Sequence, residues 1–159
     1  MFTNQSFRYK VLEYAKIEVK SPAPLSEKRK KYLDLVDLGP NENYCVAFVY
    51  WCYEQTAKFF GTINPMLKTG RTSTLYAFAE DHNLFVEQPE IGDIYIKHNK
   101  GHTALILHSN SEYKKKKTRT IEGNTAVYRD LDGDGERDDE LWGLFERNKD
   151  LSQAFFIRL

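Results

Sequence analysis

Apolar residues in the first half of the chain recur at helical spacing. Between residues 5 and 19 they fall three or four positions apart, so one face of this segment is apolar. The segment "SPAP" at 21–24 interrupts this pattern, and "LGP" at 38–40 interrupts the next one. The pattern predicts four helices: within 5–19, within 25–38 with Ser26 as N-cap, from about Tyr44 to Phe59 with Asn43 as N-cap and Gly61 as the stop, and within 71–83 with Thr72 or Ser73 as N-cap.

After Pro89 the pattern becomes short and β-rich. The segments "DIYIK", "HTALILH", "RTIEG" and "QAFFIRL" are separated by turn signals such as "IGD" and "HNKG". Strands this closely spaced pair in an antiparallel sheet. We therefore predict one α+β domain over residues 1–159, with N-terminal helices packed on a C-terminal antiparallel sheet.

Composition narrows the range of partners. Lysine plus arginine equals aspartate plus glutamate at 23 each, which argues against a nucleic-acid partner. No apolar run has the length of a membrane span. The first 20 residues lack the basic and apolar regions of a signal peptide, so we expect synthesis in the cytoplasm and any export by a non-Sec route.

The segment "NENYCVAFVYWCYEQ", residues 41–55, places Cys45 in the first turn of the third predicted helix. Free N–H groups and the positive end of the helix dipole favour a thiolate there, and the thiolate is the nucleophilic form. The alternative is a small buried apolar residue, the usual role of a free cysteine. Cys52 lies mid-helix and is predicted to be core. Seven residues separate the two along a helix, about 10 Å, so both are expected to be reduced.

A catalytic cysteine needs a histidine base, and the base needs an orienting group. His102 opens an apolar strand directly after Gly101, which makes it the best candidate base by position. Glu122 and Asn124 in "TIEGNT" lie two apart, so on a strand either could accept the second ring N–H of His102. The alternative is a strand that ends in an ordinary "GN" turn. The remaining histidines are expected to be structural or exposed: His82, His98 and His108.

Five segments in order resemble one family. "YCVAFVYWC", "PEIGDIYI", "GHTALILH", "TIEGNT" and "GLFER" together resemble the CHAP family of cysteine peptidoglycan amidases and endopeptidases, within the NlpC/P60-like, papain-like group. The resemblance runs from about Lys16 to the C-terminus. Two positions depart from the family pattern, since Tyr44 stands where the family usually has tryptophan and Val46 replaces the common alanine.

The resemblance implies a papain-like fold and a role for four residues. Cys45 would be the nucleophile, His102 the base, and Glu122 and Asn124 the orienting and polarising groups. The substrate would be bacterial peptidoglycan, cut either between muramic acid and L-alanine or at a peptide bond of the stem or crossbridge. No cofactor is needed for catalysis. The protein would act on the wall or in the periplasm as a monomer, either as a phage lysin after lysis or as a secreted antibacterial effector with an immunity protein.

The acidic segment "DLDGDGERDDEL", residues 130–141, has the spacing of a calcium loop. Oxygen ligands at alternating positions followed by a glycine resemble the start of an EF-hand, although position twelve is Leu141 where a bidentate glutamate is expected. We predict a structural Ca²⁺ site that orders the loop; the alternative is a solvated acidic insertion. The predicted ligands are Asp130, Asp132, Asp134, Glu136 and Asp138.

Two other functions use the same sequence features. A papain-like acyltransferase or deamidase acting on protein would need the same cysteine and histidine. A catalytically inactive, calcium-ordered module that binds the cell wall would keep the fold and the acidic loop without using the thiol.

Overall fold

The computed structural model describes residues 3–107, 117–129, 139–150, 152 and 154–159. Within these ranges the chain forms an α+β fold with four helices followed by five strands. The elements are α1 (Asn4–Lys20), α2 (Leu25–Leu35), α3 (Cys45–Phe60), α4 (Thr72–Asp81), β1 (Ile94–Lys97), β2 (Thr103–Ile106), β3 (Lys117–Arg129), β4 (Asp139–Asp150) and β5 (Ala154–Ile157).

Helix α3 is the centre of the core. Its sequence is apolar on nearly every side, which is typical of a helix surrounded by other elements. It packs against α1 and α2 on one side and against strands β2 and β3 on the other. Gly61 ends it in the left-handed conformation, as the sequence predicts. Because the N-terminal half of α3 is buried, its first residue is held in a fixed position relative to the sheet.

The strands form one antiparallel sheet in the order β4-β3-β2-β1-β5. The register pairs Leu105 with Ile121, and both pack in the core beneath α3. Ile106 pairs with Thr120 on the opposite face. Residues two apart on a strand share a face, so Thr120 and Glu122 lie together on this second face. The sheet therefore brings "TIEGNT" beside the start of β2.

The sheet contains one strand and one β-bulge that were not predicted. The segment around "GLFER" is strand β4, which was not predicted, and β3 continues through "EGN" where a turn was the alternative. Between Glu122 and Thr125 the register shifts by a β-bulge, with Asn124 in the left-handed region at φ 53°. A bulge bends the strand and re-aims its side chains, so "GN" redirects β3 without ending it.

A buried charged cluster fixes the turn before β1. Asp93 is fully buried, and its carboxylate accepts from Arg158 Nη2 at 2.7 Å and from the backbone N–H of Glu90 at 2.7 Å. Gly92 adopts φ 83°, and a Cβ there would lie 2.8 Å from the carbonyl oxygen of Arg8. The "PEIGD" segment is thus a tight turn that joins α1, β1 and the last residues of the chain.

In the parts of the chain that the structure describes, every helix is too short or too polar to cross a bilayer.

Candidate active site

Cys45 is the first residue of α3, and its side chain is almost fully buried. Three groups contact the thiol: the imidazole of His102, the backbone N–H of Thr103 and the hydroxyl of Thr72, the first residue of α4. An N–H and a hydroxyl can both donate to a sulfur anion. The thiol therefore lies where two helix N-termini and the start of β2 meet.

His102 lies immediately before β2, and its ring bridges two side chains. Its Nε2 is 2.9 Å from Glu122 Oε2, and the ring also hydrogen bonds with Cys45. Since Glu122 occupies Nε2, Nδ1 is the nitrogen left for the thiol. An ionised carboxylate only accepts, so Nε2 carries a proton, and Nδ1 is free to take the proton of the thiol.

Glu122 is fully buried and is held by two further contacts. Thr120 Oγ1 donates to Oε1 at 2.5 Å, and Lys149 Nζ lies 3.1 Å from the same oxygen. Burial alone would raise the pKa of Glu122. The hydrogen bonds from His102 and Thr120, with the nearby charges of His102 and Lys149, instead lower that pKa to about 2. Glu122 is consequently an anion at any pH near neutrality.

The pKa of Cys45 is lowered and the pKa of His102 is raised. Burial disfavours the Cys45 thiolate, but the hydrogen bond and charge of His102 and the hydrogen bonds from Thr103 and Thr72 together outweigh burial, and the pKa of the thiol is lowered. Burial likewise acts to lower the pKa of His102, yet the contacts with Cys45 and Glu122 raise it to about 9. A thiolate–imidazolium pair is the state that this arrangement favours.

Asn124 is oriented away from the histidine. Its amide nitrogen donates to Asn43 Oδ1 at 2.9 Å, in the loop that precedes α3. The sequence allowed either Glu122 or Asn124 to accept the second ring N–H of His102. In the structure Glu122 accepts it, and Asn124 contacts Asn43 instead. Asn43 was predicted to cap α3, but the N-cap residue is Tyr44 and the Asn43 side chain takes part in this longer-range contact.

Gly123 explains why the bulge lies so close to the cysteine helix. A Cβ at this position would lie 2.9 Å from Phe48 Cβ, in the first turn of α3. Only a glycine lets the β3 backbone approach the helix this closely. The approach sets the distance between the Glu122 carboxylate and the N-terminus of α3.

Cys52, His82 and His98 lie apart from this site. Cys52 is fully buried, and burial raises its pKa well above the usual value, which confirms the core assignment. The Nδ1 atom of His82, at the C-terminal end of α4, is 2.9 Å from the Phe78 carbonyl oxygen, and the His98 ring stacks on Phe155. His108 lies outside the described residues.

The predicted calcium ligands, Asp130, Asp132, Asp134, Glu136 and Asp138, also lie outside the described residues. Within the ranges that are described, no three histidine, cysteine, aspartate or glutamate side chains form a group that could hold a metal ion.

Four residues of the site were not identified from the sequence. Thr120 could have been found, because it lies two residues before Glu122 and so shares its face. Thr72 was considered only as a helix cap. Lys149 lies on the strand that was not predicted, and Thr103 contributes a backbone group, which leaves no signal in the side-chain pattern.

Searches with the sequence against protein-family models and curated proteins, and against solved structures, found no match. The geometry itself defines a class of site, a buried cysteine paired with a histidine that a glutamate orients.

Proposed function

We propose that this chain is a papain-like cysteine hydrolase of the CHAP and NlpC/P60 type, which cleaves an amide bond in the stem peptide of bacterial peptidoglycan. The hydrogen-bonded series Cys45, His102 and Glu122 carries this proposal, because a nucleophile, a base in contact with it and a carboxylate that orients the base are the minimum for nucleophilic acyl transfer. The choice of peptidoglycan rests on the sequence resemblance.

The reaction begins with attack by the Cys45 thiolate on the amide carbonyl. Sulfur bonds to the carbonyl carbon, and the electron pair of the C=O bond moves to oxygen. The backbone N–H of Cys45, the first residue of α3, would donate to that oxyanion. His102 protonates the leaving amine, and the C–N bond breaks to leave a thioester. His102 then takes a proton from water as the water oxygen bonds to the thioester carbon. The C–S bond breaks, which releases the carboxylic acid and restores the thiolate–imidazolium pair.

Glu122 supports both steps without contacting the substrate. Its carboxylate fixes the ring of His102 and stabilises the imidazolium form, and Lys149 and Thr120 hold the carboxylate in turn. The chain of charges alternates from thiolate to imidazolium to carboxylate to ammonium. Each neighbour thereby favours the ionised state that the mechanism needs.

Digestion of purified peptidoglycan sacculi tests the proposal. We expect the wild type to release muropeptide fragments, Cys45→Ala to release none, and Cys52→Ala to match the wild type. The fragment masses then distinguish the muramoyl–alanine bond from a bond within the peptide. Absence of fragments from sacculi of several chemotypes, with turnover on protein amides, would favour a protein acyltransferase or deamidase instead.

Calcium binding by residues 130–138 is a separate proposal drawn from the spacing of their carboxylates. We expect added Ca²⁺ to raise the melting temperature of the EDTA-treated wild type and to leave that of an Asp132→Asn, Asp134→Asn double variant unchanged. An equal response of the two proteins to Ca²⁺ would show that this loop does not hold the ion.

A further inference from the structure

The turn between β1 and β2 holds a lysine in an unusual backbone conformation. Lys100 has φ 56°, in the left-handed region that a residue other than glycine rarely adopts. Its N–H donates to the Lys97 carbonyl oxygen at 2.7 Å, which closes the turn. His102 follows two residues later in the chain. The turn therefore fixes the direction in which the Lys100 side chain leaves the backbone, close to the histidine of the site.

The Lys100 ammonium lies over the aromatic ring of Tyr76 on α4, with Nζ 3.7 Å from the ring centroid. At this distance the negative face of the ring attracts the cation. The ring is itself fixed, since its centroid lies 5.0 Å from that of Phe85 and 4.9 Å from that of Phe155. The backbone of the turn and the Tyr76 ring together hold the ammonium in one place, although the side chain is exposed.

Two connections place this cation close to the Cys45 thiol. Lys100 is separated from His102 by at most about 7 Å of chain, and the His102 ring hydrogen bonds with Cys45. On α4, Tyr76 follows Thr72 by one helical turn, about 6 Å along the axis, and the Thr72 hydroxyl contacts the Cys45 sulfur. The cation therefore lies on the α4 side of the thiol, at the edge of the site.

The charge of Lys100 is not neutralised by the surrounding side chains. None of the carboxylates among the residues that the structure describes pairs with it. The Tyr76 ring occupies one side of the ammonium, so other N–H donors of Lys100 remain directed towards solvent. A carboxylate forms the strongest type of hydrogen bond with such a cation. Lys100 is thus an ordered, accessible donor beside the thiol that has room for an anion.

We propose that Lys100 binds a carboxylate of the substrate close to the amide bond that Cys45 attacks, and so selects peptides with a free carboxylate over the same peptides with an amide there. This inference rests on the proposed hydrolase function and narrows its substrate to an acidic peptide. An ammonium that is already ordered loses little side-chain entropy when it binds an anion. That gain is a physical reason for a strained lysine at this turn.

Matched alkylating reagents test this selection without the natural substrate. The N-iodoacetyl derivatives of glycine, β-alanine and 4-aminobutyrate carry a carboxylate at increasing distance from the reacting carbon, and their primary amides carry none. All of them react alike, since the Cys45 sulfur bonds to the CH₂ carbon and iodide leaves. The ratio of the carboxylate rate to the amide rate, divided by the same ratio for a free cysteine peptide, is the carboxylate preference of the protein.

We expect a wild-type carboxylate preference of about two- to fivefold for at least one reagent length, the range of an exposed ion pair. Lys100→Gln should abolish this preference and leave the rates of the amide reagents unchanged, whereas Lys100→Arg should keep it. Because salt screens exposed charges, the wild-type preference should also fall in about 1 M NaCl. The reagent length that gives the largest preference measures the reach from the sulfur to the ammonium.

Lys97→Gln is the matched control. Lys97 is exposed near the same turn, but it shares a strand face with Tyr95, on the side of the sheet away from α4. Removing its charge should leave the carboxylate preference as in the wild type. Lys97 and Lys100 carry the same charge, so the comparison separates a fixed binding group from the general positive potential of the turn.

The inference fails if the wild type shows no carboxylate preference at any length, or if Lys100→Gln keeps the preference. Equal losses in Lys100→Gln and Lys97→Gln would reduce the effect to general potential, and equal slowing of both reagent types in Lys100→Gln would give Lys100 a structural role. A Cys45 no more reactive than a free thiol would remove the hydrolase proposal as well. If sacculi are not digested but the preference depends on Lys100, the inference stands and only the peptidoglycan assignment fails.

Discussion

At the scale of single residues, the decisive contrast is between two cysteines on one helix. Cys45 and Cys52 are both buried, yet the pKa of one thiol is lowered and that of the other is raised. Burial acts in the same direction on both. The difference comes from His102, together with the hydrogen bonds that the Thr103 N–H and the Thr72 hydroxyl make to the Cys45 sulfur, seven residues before Cys52 in the chain.

This contrast predicts which cysteine reacts. Iodoacetamide should label Cys45 at pH 7 faster than it labels a free cysteine peptide, and should leave Cys52 unlabelled in the folded protein. His102→Ala removes the cation that favours the thiolate, so labelling of Cys45 should slow about tenfold or more. Peptide mass spectrometry after timed quenching gives both rates. Labelling of Cys45 at the same rate in the variant would contradict the ion pair.

The pKa of His102 predicts the alkaline limit of hydrolysis. A pKa raised to about 9 keeps the imidazolium protonated through neutrality, and the proton is lost as the pH rises through about 9. Since the leaving amine needs that proton, release of wall fragments should fall above pH 9. The acidic limit follows the lowered pKa of Cys45 and should lie below the usual thiol range. Loss of fragment release as the pH rises through about 6.5 would instead mean that His102 is not paired with Cys45 and Glu122.

At the scale of elements, the turn before β1 offers a test of close backbone approach. Gly92→Ala should destabilise the fold by about 2–4 kcal/mol, because a side chain is strained at φ 83° and its Cβ meets the backbone of Arg8. The matched control is Gly39→Ala, where a Cβ meets nothing within 4 Å. Urea denaturation compares the two free energies of unfolding. Equal stabilities would show that the turn can shift without cost.

Local patterns in the sequence were sufficient to predict the helices and the fold class. Each predicted helix is present, and α3 starts and ends within one residue of its predicted limits. Strand β4 was missed because its sequence, "DELWGLFERNKD", mixes charged and apolar residues without a clear alternation. Its pairing with β3 is a contact between distant parts of the chain, which local periodicity does not encode.

The site shows the same division between local and long-range information. Local rules correctly predicted Cys45 in the first turn of α3, and they also predicted one shared face for Glu122 and Asn124, which the bulge in β3 removes. The choice between Glu122 and Asn124 could not be made, because the bulge at Asn124 breaks the two-residue repeat. Asn43 illustrates the same limit, since a local capping rule assigned to α3 a side chain that contacts a residue 81 positions away.

At the scale of the whole molecule, the carboxylate of Glu122 also couples folding to pH. The pKa of Glu122 falls from 4.5 to about 2 on folding, so the folded state favours the anion. Because folding lowers this pKa, the carboxylate stabilises the folded state fully above pH 4.5, and this stabilisation is lost as the pH falls towards 2. A fall in pKa from 4.5 to about 2 corresponds to about 3 kcal/mol of folding free energy for this fully buried group.

Glu122→Gln should therefore change the acid dependence of stability as well as activity. Glutamine keeps the shape of the side chain but has no carboxylate to titrate, so between pH 4.5 and 2 the wild type should lose about 3 kcal/mol more than the variant does. The exposed Glu87→Gln should follow the wild-type curve. Urea unfolding at half-unit pH steps measures the three slopes. Parallel curves for wild type and Glu122→Gln would mean that the carboxylate is not held by His102, Thr120 and Lys149 in solution, and the oriented triad would fail with it.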